Sequence, residues 1–369
     1  MSRISATYLI SCPPEAAQTR ADAIRVEQSV EMPLAGVRDT HILENIVGRV
    51  ESITPAGEGC SRVVIGLAGA TAGPGVAQLM NMLFGNTSLH EDVTLEDALF
   101  PEELAAAFPG PRHGIAGLRR LTGVESGPIT CTALKPQGSS VEVLAGLCRS
   151  FAIAGMHIIK DDHGLSNQAY SPFEQRLRAC QAAVLQVNRE TGTNALYAPS
   201  LAGTPSQVFE QARLAREEGV KVLLVAPMLL GLPVFEELVA DHIGGDCAIL
   251  AHPAMGGGAR IAPPLLFGKL FRMLGADAVI FTGYGGRFAY SRERCHAIAE
   301  ACRAPLHGMR PAMPVPAGGM KLERVDELVD FYGPDTMLLI GGDLLIAGEG
   351  LVERGREFAD KVAQKAGAA

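Results

Sequence analysis

The stretch MHIIKDDH at residues 156–163 joins a short apolar run to four polar side chains. An apolar run of this kind is typical of a buried parallel strand, which delivers its last residues to one rim of a sheet or barrel. Burying so much unpaired polarity would cost several kcal/mol, so we expect these four groups to be solvated or bound to something. An ordinary polar strand-to-helix loop is the alternative, and the rest of the chain bears on the choice.

From Ile129 onward, short apolar runs alternate with amphipathic helical segments. The predicted strands and the helices that follow them lie at 129–136 and 139–154, 156–162 and 172–192, 195–202 and 205–218, 220–227 and 233–243, 247–254 and 263–274, 278–282 and 291–303, 314–318 and 323–331, and 337–342 and 350–366. In the third unit Thr204 is the expected N-cap and Gly219 the expected C-cap. Repeated strand–helix units of this number predict a closed (β/α)8 barrel, with an open doubly wound sheet as the alternative.

The first 125 residues lack this rhythm. Candidate strands at 7–12, 45–53 and 62–67 are mixed with a candidate helix at 75–83. The fold class is therefore α/β, with a C-terminal (β/α)8 TIM barrel preceded by a smaller α+β domain. We place the N-terminal α+β domain at residues 1–125 and the barrel domain at residues 126–369, joined through a segment rich in proline and glycine.

Composition narrows the classes of protein that fit. Of the 369 residues, 47% are hydrophobic and 20% charged, which is typical of a globular protein. The net charge of −8 offers no basic surface for nucleic acid. No apolar stretch is long enough to cross a membrane, and the N-terminus does not resemble a signal peptide. The eight cysteines show no C-x-x-C spacing, so we expect reduced, mostly buried thiols and a cytoplasmic protein.

The predicted rim carries the groups that chemistry would need. In barrels of this kind the catalytic side chains stand at the carboxyl ends of the strands. Here those ends carry Lys135, Lys160, Asp162, His163, Ser200, His252 and Thr282. A lysine crowded by a second cation or by burial can act as a base, although a plain ion pair with an aspartate remains the alternative.

Two glycine pairs follow the last two predicted strands. Gly318-Gly319 and Gly341-Gly342 occupy equivalent places in adjacent units. Such turns commonly hold a phosphate with their backbone N–H groups, so the sequence predicts a phosphate site there.

Several short motifs together resemble the RuBisCO large-chain family, and within it the RuBisCO-like proteins of form IV type. The motifs are FPGPRHGI at 108–115, KP at 135–136, KDD at 160–162, HPAM at 252–255, AGG at 317–319 and IGG at 340–342, with LFGN at 83–86 and EQS at 27–29 in the first domain. The resemblance extends over nearly the whole chain.

The resemblance implies roles for these residues. Lys160 would be carbamylated by CO₂ to N6-carboxylysine and would bind Mg²⁺ together with Asp162. Lys135 would take a proton from the carbon beside a carbonyl group, with His252 in the same catalytic set. The glycine pairs would hold a phosphate. Glu27 and Asn86 would reach the active site of the partner subunit across an antiparallel homodimer.

Departures from the family pattern argue against CO₂ fixation. His163 stands where the family supplies a third carboxylate ligand, which points to a weakened Mg²⁺ site or a softer ion. Pro253 and Gly256 replace an arginine and a histidine, and Gln137 replaces a lysine. The loop after Thr282 contains Arg287 but no lysine, so gas addition would lack its electrophilic support.

The remaining set suits proton abstraction alpha to a carbonyl of a phosphorylated ketose, through a metal-stabilised enolate. The first hypothesis is an isomerase or enolase of methionine salvage acting on 5-methylthioribulose 1-phosphate or its diketo relative, in which His163 or Arg287 helps to move a proton between carbons. The alternative is a decarboxylase of a phosphorylated 3-oxo sugar acid, of the 3-oxo-isoapionate 4-phosphate type. A third hypothesis is a non-catalytic regulatory or phosphate-binding protein.

Overall fold

The computed structural model describes residues 2–366, which form two compact units. The first unit comprises residues 2–108 together with Gly256–Leu266, and the second comprises residues 109–255 and 267–366. The helix at Gly114–Thr122 therefore groups with the second unit. The sequence-based division at residue 125 stays a prediction.

The first unit is built on an antiparallel sheet. Its elements in chain order are β1 (Arg3–Ile10), α1 (Pro14–Glu27), β2 (Arg49–Pro55), β3 (Ser61–Ala68), α2 (Val76–Phe84), β4 (Val93–Leu99) and α3 (Glu102–Ala105). The strand order is β2-β3-β1-β4. Every second side chain of β1 is buried, as expected for a strand with one face against a core. Three of these elements, α1, β4 and the short α3, were not predicted from the sequence.

The second unit contains the barrel. Its elements in chain order are α4 (Gly114–Thr122), β5 (Ile129–Ala133), α5 (Val141–Ile153), β6 (Ile158–Lys160), α6 (Phe173–Thr191), β7 (Leu196–Ala198), β8 (Ser200–Leu201), α7 (Pro205–Glu217), β9 (Val222–Val225), α8 (Pro227–Leu230), α9 (Leu232–Glu237), β10 (Ala248–Ala251), α10 (Phe271–Met273), β11 (Ala278–Thr282), α11 (Arg292–Arg303), β12 (Met313–Ala317), α12 (Val325–Tyr332), β13 (Met337–Leu339), α13 (Gly342–Leu345) and α14 (Leu351–Ala366). The predicted alternation of strand and helix is confirmed. The helices predicted at 233–243 and 263–274 are only partly α-helical, because residues 238–242 and 264–270 form wider π-helical turns.

Alternate residues of the parallel strands fill the barrel interior. They include Ile129, Cys131, Ile158, Ala198, Val222, Leu224, Ala248, Leu250, Ala278, Ile280, Met313, Val315, Met337 and Leu339. Helix α4 adds Ile115 and Leu118 to this core. The Ile115 N–H donates to the carbonyl of Pro311, just before β12, so α4 lies at the amino ends of the strands. The opposite rim, where the predicted site lies, is formed by the carboxyl ends.

Prolines interrupt the hydrogen-bonded ring. Pro199 separates β7 from β8, which pair with β6 and β9 respectively. On β12 the N–H of Met313 donates to Asp277 next to β11, so the nitrogens of Pro314 and Pro316 face the other neighbour, β13. Proline has no N–H to give. Within residues 2–366 the ladders accordingly form two parallel sheets, β12-β11-β10-β9-β8 and β13-β5-β6-β7.

Helix capping agrees with the sequence at one end of α7. Thr204 is its N-cap, as predicted, and forms a capping box with Gln207. The C-cap is Glu218 rather than the predicted Gly219, which follows it with a positive φ of 73°. The side chain of Ser140 caps α5. All eight cysteines are free, and seven are buried. Among residues 2–366, no helix has the length and apolar character needed to cross a membrane.

The partly buried His157 makes the free energy of unfolding depend on pH. Its Nδ1 lies 3.1 Å from the N–H of Thr130, and burial lowers the pKa of His157 to about 4. The unfolded chain, with a pKa near 6.5, takes up a proton first as the pH falls, so folding loses about 1 kcal/mol per pH unit between about 6.5 and 4. We expect His157→Gln to flatten the pH dependence of the free energy of unfolding, measured in urea. The exposed-site control His90→Gln should keep the wild-type slope; equal slopes in both variants would contradict this account.

Candidate active site

The two-residue period of β6 decides where the K-D-D side chains point. Ile158 belongs to the barrel core, so Lys160, two residues further on, faces the same interior. Asp161 faces the opposite way, and Asp162 returns to the interior side. The strand therefore divides two neighbouring carboxylates between two different environments.

Asp161 lies on the outer face of the strand ring, where it is fully buried. Three groups donate hydrogen bonds to it. Its carboxylate accepts hydrogen bonds from Arg176 Nε (3.0 Å), the Tyr197 hydroxyl (2.8 Å) and the Ser200 N–H (3.1 Å). Burial raises the pKa of Asp161, and the Arg176 charge with these hydrogen bonds opposes that rise. Asp161 is therefore a structural carboxylate, out of reach of the barrel mouth.

Asp162 is the centre of the inward-facing cluster. Lys135 Nζ lies 2.6 Å and His163 Nδ1 3.4 Å from the same oxygen, Oδ1, while Gln137 Nε2 lies 3.4 Å from Oδ2. Burial alone would raise the pKa of Asp162, but the hydrogen bonds from His163 and Lys135 and the nearby lysine charges lower it well below its usual range. Asp162 therefore stays a carboxylate. It is itself buried, but its partners Lys135 and His163 are partly exposed at the rim.

Lys160 lies deeper than Lys135. Its side chain is 2% exposed, and Nζ donates to the backbone oxygen of Asp161 at 2.9 Å. Burial lowers the pKa of Lys160, which favours the neutral amine. A neutral amine is the form that can add CO₂.

His252 lies against His163 in the cluster. Its ring stacks on that of His163, with centroids 4.0 Å apart and planes 13° apart. Burial, followed by the charges of Lys160 and His163, lowers the pKa of His252 to about 2, so the ring is neutral. Because Nδ1 accepts the N–H of Ala254 at 3.2 Å, the ring proton is on Nε2.

The Gly318-Gly319 turn lies beneath the loop that follows β11. The carbonyl of Gly318 accepts the N–H of Arg287 at 2.8 Å. A Cβ on Gly319 would lie 2.8 Å from Arg287 Cγ, and one on Gly318 would lie 3.0 Å from the ring of Phe288. Both glycines have positive φ. Their absent side chains let the two loops pack directly on each other, with the exposed Arg287 side chain above the turn.

Gly341-Gly342 stands at the start of α13, after β13. The helix begins at Gly342, and Asp343 in its first turn accepts the N–H of Leu322 at 3.1 Å. That bond connects the loops after β12 and β13. The two predicted glycine pairs are therefore adjacent at one rim, as the sequence analysis expects.

Glu27 and Asn86 come together in the first unit. Asn86 Nδ2 donates to Glu27 Oε1 at 2.8 Å and to Glu31 Oε1 at 2.7 Å. Glu31 was missed by the sequence analysis; its positive φ of 55° could not be read from the sequence. The three residues form an exposed polar cluster.

Comparison with known proteins identifies the family. Residues 114–351 match the family model of the ribulose bisphosphate carboxylase large chain, catalytic domain. The chain belongs to the RuBisCO large-chain family. It is similar to the 5-methylthioribulose-1-phosphate isomerase of Rhodospirillum rubrum, with 49% identity over 100% of this chain and 97% of that one.

Two further members of the family are informative. The crystal structure of a Rubisco-like protein from Rhodopseudomonas palustris is 46% identical, covers 98% of both chains and superimposes with a TM-score of 0.92. The 2,3-diketo-5-methylthiopentyl-1-phosphate enolase of Geobacillus kaustophilus is 34% identical over 76% of this chain and 69% of its own. The predicted family and barrel fold are confirmed.

Proposed function

We propose that this RuBisCO-like chain is a non-carboxylating enzyme that isomerises 5-methylthioribulose 1-phosphate through an enolate. The observation that carries the proposal is the cluster at Asp162, where Lys135 and Lys160 flank one carboxylate at the barrel mouth. The end-to-end similarity to a protein named as that isomerase supports the substrate.

Asp162 and His163 complete a site for a divalent metal only after Lys160 is carbamylated. Among residues 2–366 no cluster of three or more histidine, cysteine or carboxylate side chains could hold an ion. A carbamate on Lys160 would add the missing oxygens beside Asp162. Neighbouring ligands of an octahedral ion lie about 3 Å apart, which the 3.4 Å between Asp162 Oδ1 and His163 Nδ1 approaches. We expect Mg²⁺, held less tightly than by three carboxylates because His163 supplies nitrogen.

Lys135 is the proposed base. It would take the proton from the carbon next to the substrate carbonyl; the C–H electron pair becomes a C=C bond and the carbonyl oxygen becomes the enolate oxygen. A bound metal would polarise that carbonyl. Lys135 must release Asp162 to act, and a cation that shares Oδ1 would weaken their ion pair. A proton then moves from the hydroxyl group on the neighbouring carbon to the enolate oxygen, and a proton is returned to the former carbonyl carbon, which leaves the new carbonyl on the neighbouring carbon. His163 is the proposed carrier of the oxygen-bound proton, through Nε2, since its Nδ1 is the proposed metal ligand.

His252 would bind a substrate oxygen as a neutral donor. With Nδ1 occupied by Ala254, its Nε2–H can donate to a hydroxyl or carbonyl oxygen. The stacked His163 ring supports its orientation.

The phosphate would bind at the glycine turns. The N–H groups of Gly341 and Gly342, at the start of α13, and of Gly318 and Gly319 supply donors, and Arg287 supplies the cation. We expect Arg287→Ala to raise the KM for the phosphorylated substrate about 10- to 100-fold with a smaller change in kcat, because a hydrogen bond to a charged group contributes about 1.5–3 kcal/mol. Inorganic phosphate should lose inhibitory potency in parallel. Arg356→Ala, on the outer helix α14, serves as control; an unchanged KM in Arg287→Ala would remove Arg287 from the site.

We further propose an antiparallel homodimer in the cytoplasm. The Glu27–Asn86 pair would then reach the active site of the partner subunit, as the family resemblance implies. Sedimentation velocity measures the oligomeric state directly. A monomer that retains full activity would contradict the role of Glu27 and Asn86.

Proton NMR in D₂O tests the proposed function. The purified enzyme is given 5-methylthioribulose 1-phosphate with Mg²⁺ and bicarbonate. Deuterium uptake together with a new sugar phosphate supports the isomerase, and uptake at substrate carbon without a new product indicates enolisation alone. If neither occurs, a phosphorylated 3-oxo sugar acid is tested for loss of CO₂, and inertness toward both substrates contradicts an enolate mechanism.

A further inference from the structure

A buried network behind β6 surrounds the residue between the two proposed metal-binding side chains. Arg176 and Asp161 are both 0% exposed, and Arg176 Nε lies 3.0 Å from Asp161 Oδ2. The other guanidinium nitrogens of Arg176 donate to the backbone oxygens of Ser171 (2.6 Å) and Ser166 (2.7 Å). The network therefore joins the loop after β6 to the start of α6.

Every polar group of Asp161 has a partner. Its carboxylate receives Arg176, Tyr197 and Ser200, and its N–H donates to the Ala198 carbonyl at 2.9 Å. Its own carbonyl accepts Lys160 Nζ. The peptide unit of Asp161 thus fixes both the direction of the chain leaving β6 and the position of the Lys160 amine.

We infer that Tyr197 and Arg176 are positioning residues that set the relative orientation of Lys160 and Asp162 through Asp161. The inference rests on the proposed function, in which Lys160 and Asp162 jointly hold a metal. The backbone leaving β6 turns Asp161 outward and its neighbours inward, so the outward anchor determines how the two inward side chains face each other. Neither Tyr197 nor Arg176 touches substrate or metal in this account.

Tyr197→Phe is the decisive variant, because it removes one hydrogen bond to Asp161 while keeping the buried ring. Arg176→Lys is the second variant, although the loss of a fully buried guanidinium endangers folding. Tyr8→Phe is the matched control: Tyr8 is also fully buried, and its hydroxyl donates to the Leu83 carbonyl at 2.6 Å in the first unit. A merely structural role predicts the same behaviour for both tyrosines.

Two readouts separate positioning from stability. The first is the rate at which cyanate, a small CO₂ analogue, carbamoylates Lys160, followed by peptide mass spectrometry. The second is the Kd for Mn²⁺ in bicarbonate-equilibrated buffer, followed by electron paramagnetic resonance. We expect Tyr197→Phe to raise the cyanate rate at Lys160 at least fivefold and the Mn²⁺ Kd at least tenfold, while Tyr8→Phe changes both by less than twofold.

The two proposals fail in different ways. If wild-type protein binds no Mn²⁺ under any condition, the metal-dependent function is wrong, and the cyanate rate alone still decides the positioning role. If Tyr197→Phe lowers the melting temperature as Tyr8→Phe does but leaves the cyanate rate at the wild-type value, the positioning role is overturned. Arg176→Met, which removes the charge, is compared with Arg176→Lys, which keeps it. Tighter Mn²⁺ binding in the lysine variant than in the methionine variant would support the positioning role.

Discussion

Lys135→Met is expected to lower kcat about 1,000-fold, within the range of about 10²–10⁴ that a positioned general base contributes. Methionine has a similar length and no basic nitrogen, so the fold of the rim should persist. The KM should change little, since Lys135 acts on the carbon–hydrogen bond rather than on the phosphate. Coupled-assay kinetics and the rate of deuterium uptake by the substrate measure the effect.

The control for Lys135→Met is Lys361→Met on the outer helix α14. Lys361 Nζ lies 3.9 Å from Glu357 Oε1. That variant should keep wild-type kcat. If Lys135→Met keeps more than a third of wild-type kcat, another group removes the proton, and His163 on the same Asp162 oxygen becomes the candidate.

Lys160→Met should abolish metal binding without unfolding the barrel. A buried amine is costly to charge, so an apolar chain of similar length should leave the free energy of unfolding within about 1 kcal/mol of the wild type. The carbamate, however, cannot form. We expect the ¹³C NMR signal of a lysine carbamate to disappear after ¹³CO₂ treatment, and the Mn²⁺ Kd to rise at least 100-fold.

The contrasting variant is Asp162→Asn, which keeps Lys160 but removes the carboxylate between two lysines. It should also lose metal, but with a lower melting temperature, because Lys135 loses its ion-pair partner. Metal binding by Lys160→Met at wild-type affinity would show that the ion needs only Asp162 and His163. In that case the carbamate is absent from the mechanism.

The barrel could be predicted from the sequence because its strands are continuous apolar runs that alternate with amphipathic segments. The start of α7 carries a clear signal, Thr204, which caps that helix. Helix α1 was missed because its burial is confined to Ala17, Ala21 and Ile24 within a largely polar segment. The π-helical turns at 238–242 and 264–270 were not predicted from the sequence.

The cluster of Lys135, Lys160, Asp162, His163 and His252 could be predicted as a group, since parallel strands deliver their last residues to one rim. The two-residue period of a strand predicts that Asp161 and Asp162 face opposite ways. What the sequence could not supply is the identity of the Asp161 partners, which lie 15 and 36 residues away on α6 and β7. Nothing in the sequence marks Arg176 or Tyr197 as those partners.

The glycines after β12 show a second limit. The sequence predicts that Gly318 and Gly319 hold a phosphate. The structure adds that they allow the neighbouring loop to pack closely, a role that depends on the path of Arg287 and Phe288. The two roles are compatible, since a backbone N–H group and a missing Cβ belong to different sides of the residue.

The prolines of β12 have a mechanical consequence. Between β12 and β13 the ring is held by side-chain packing and by single contacts such as the Thr336 hydroxyl on the Pro314 carbonyl, 3.1 Å away. Two neighbouring strands that share no backbone ladder can shift relative to each other without breaking several backbone hydrogen bonds at once. The glycine turns after β12 and β13 follow directly from this joint, so we expect the proposed phosphate site to be less constrained by backbone hydrogen bonds than the end that carries Lys135 and Lys160, where β5 and β6 form a ladder.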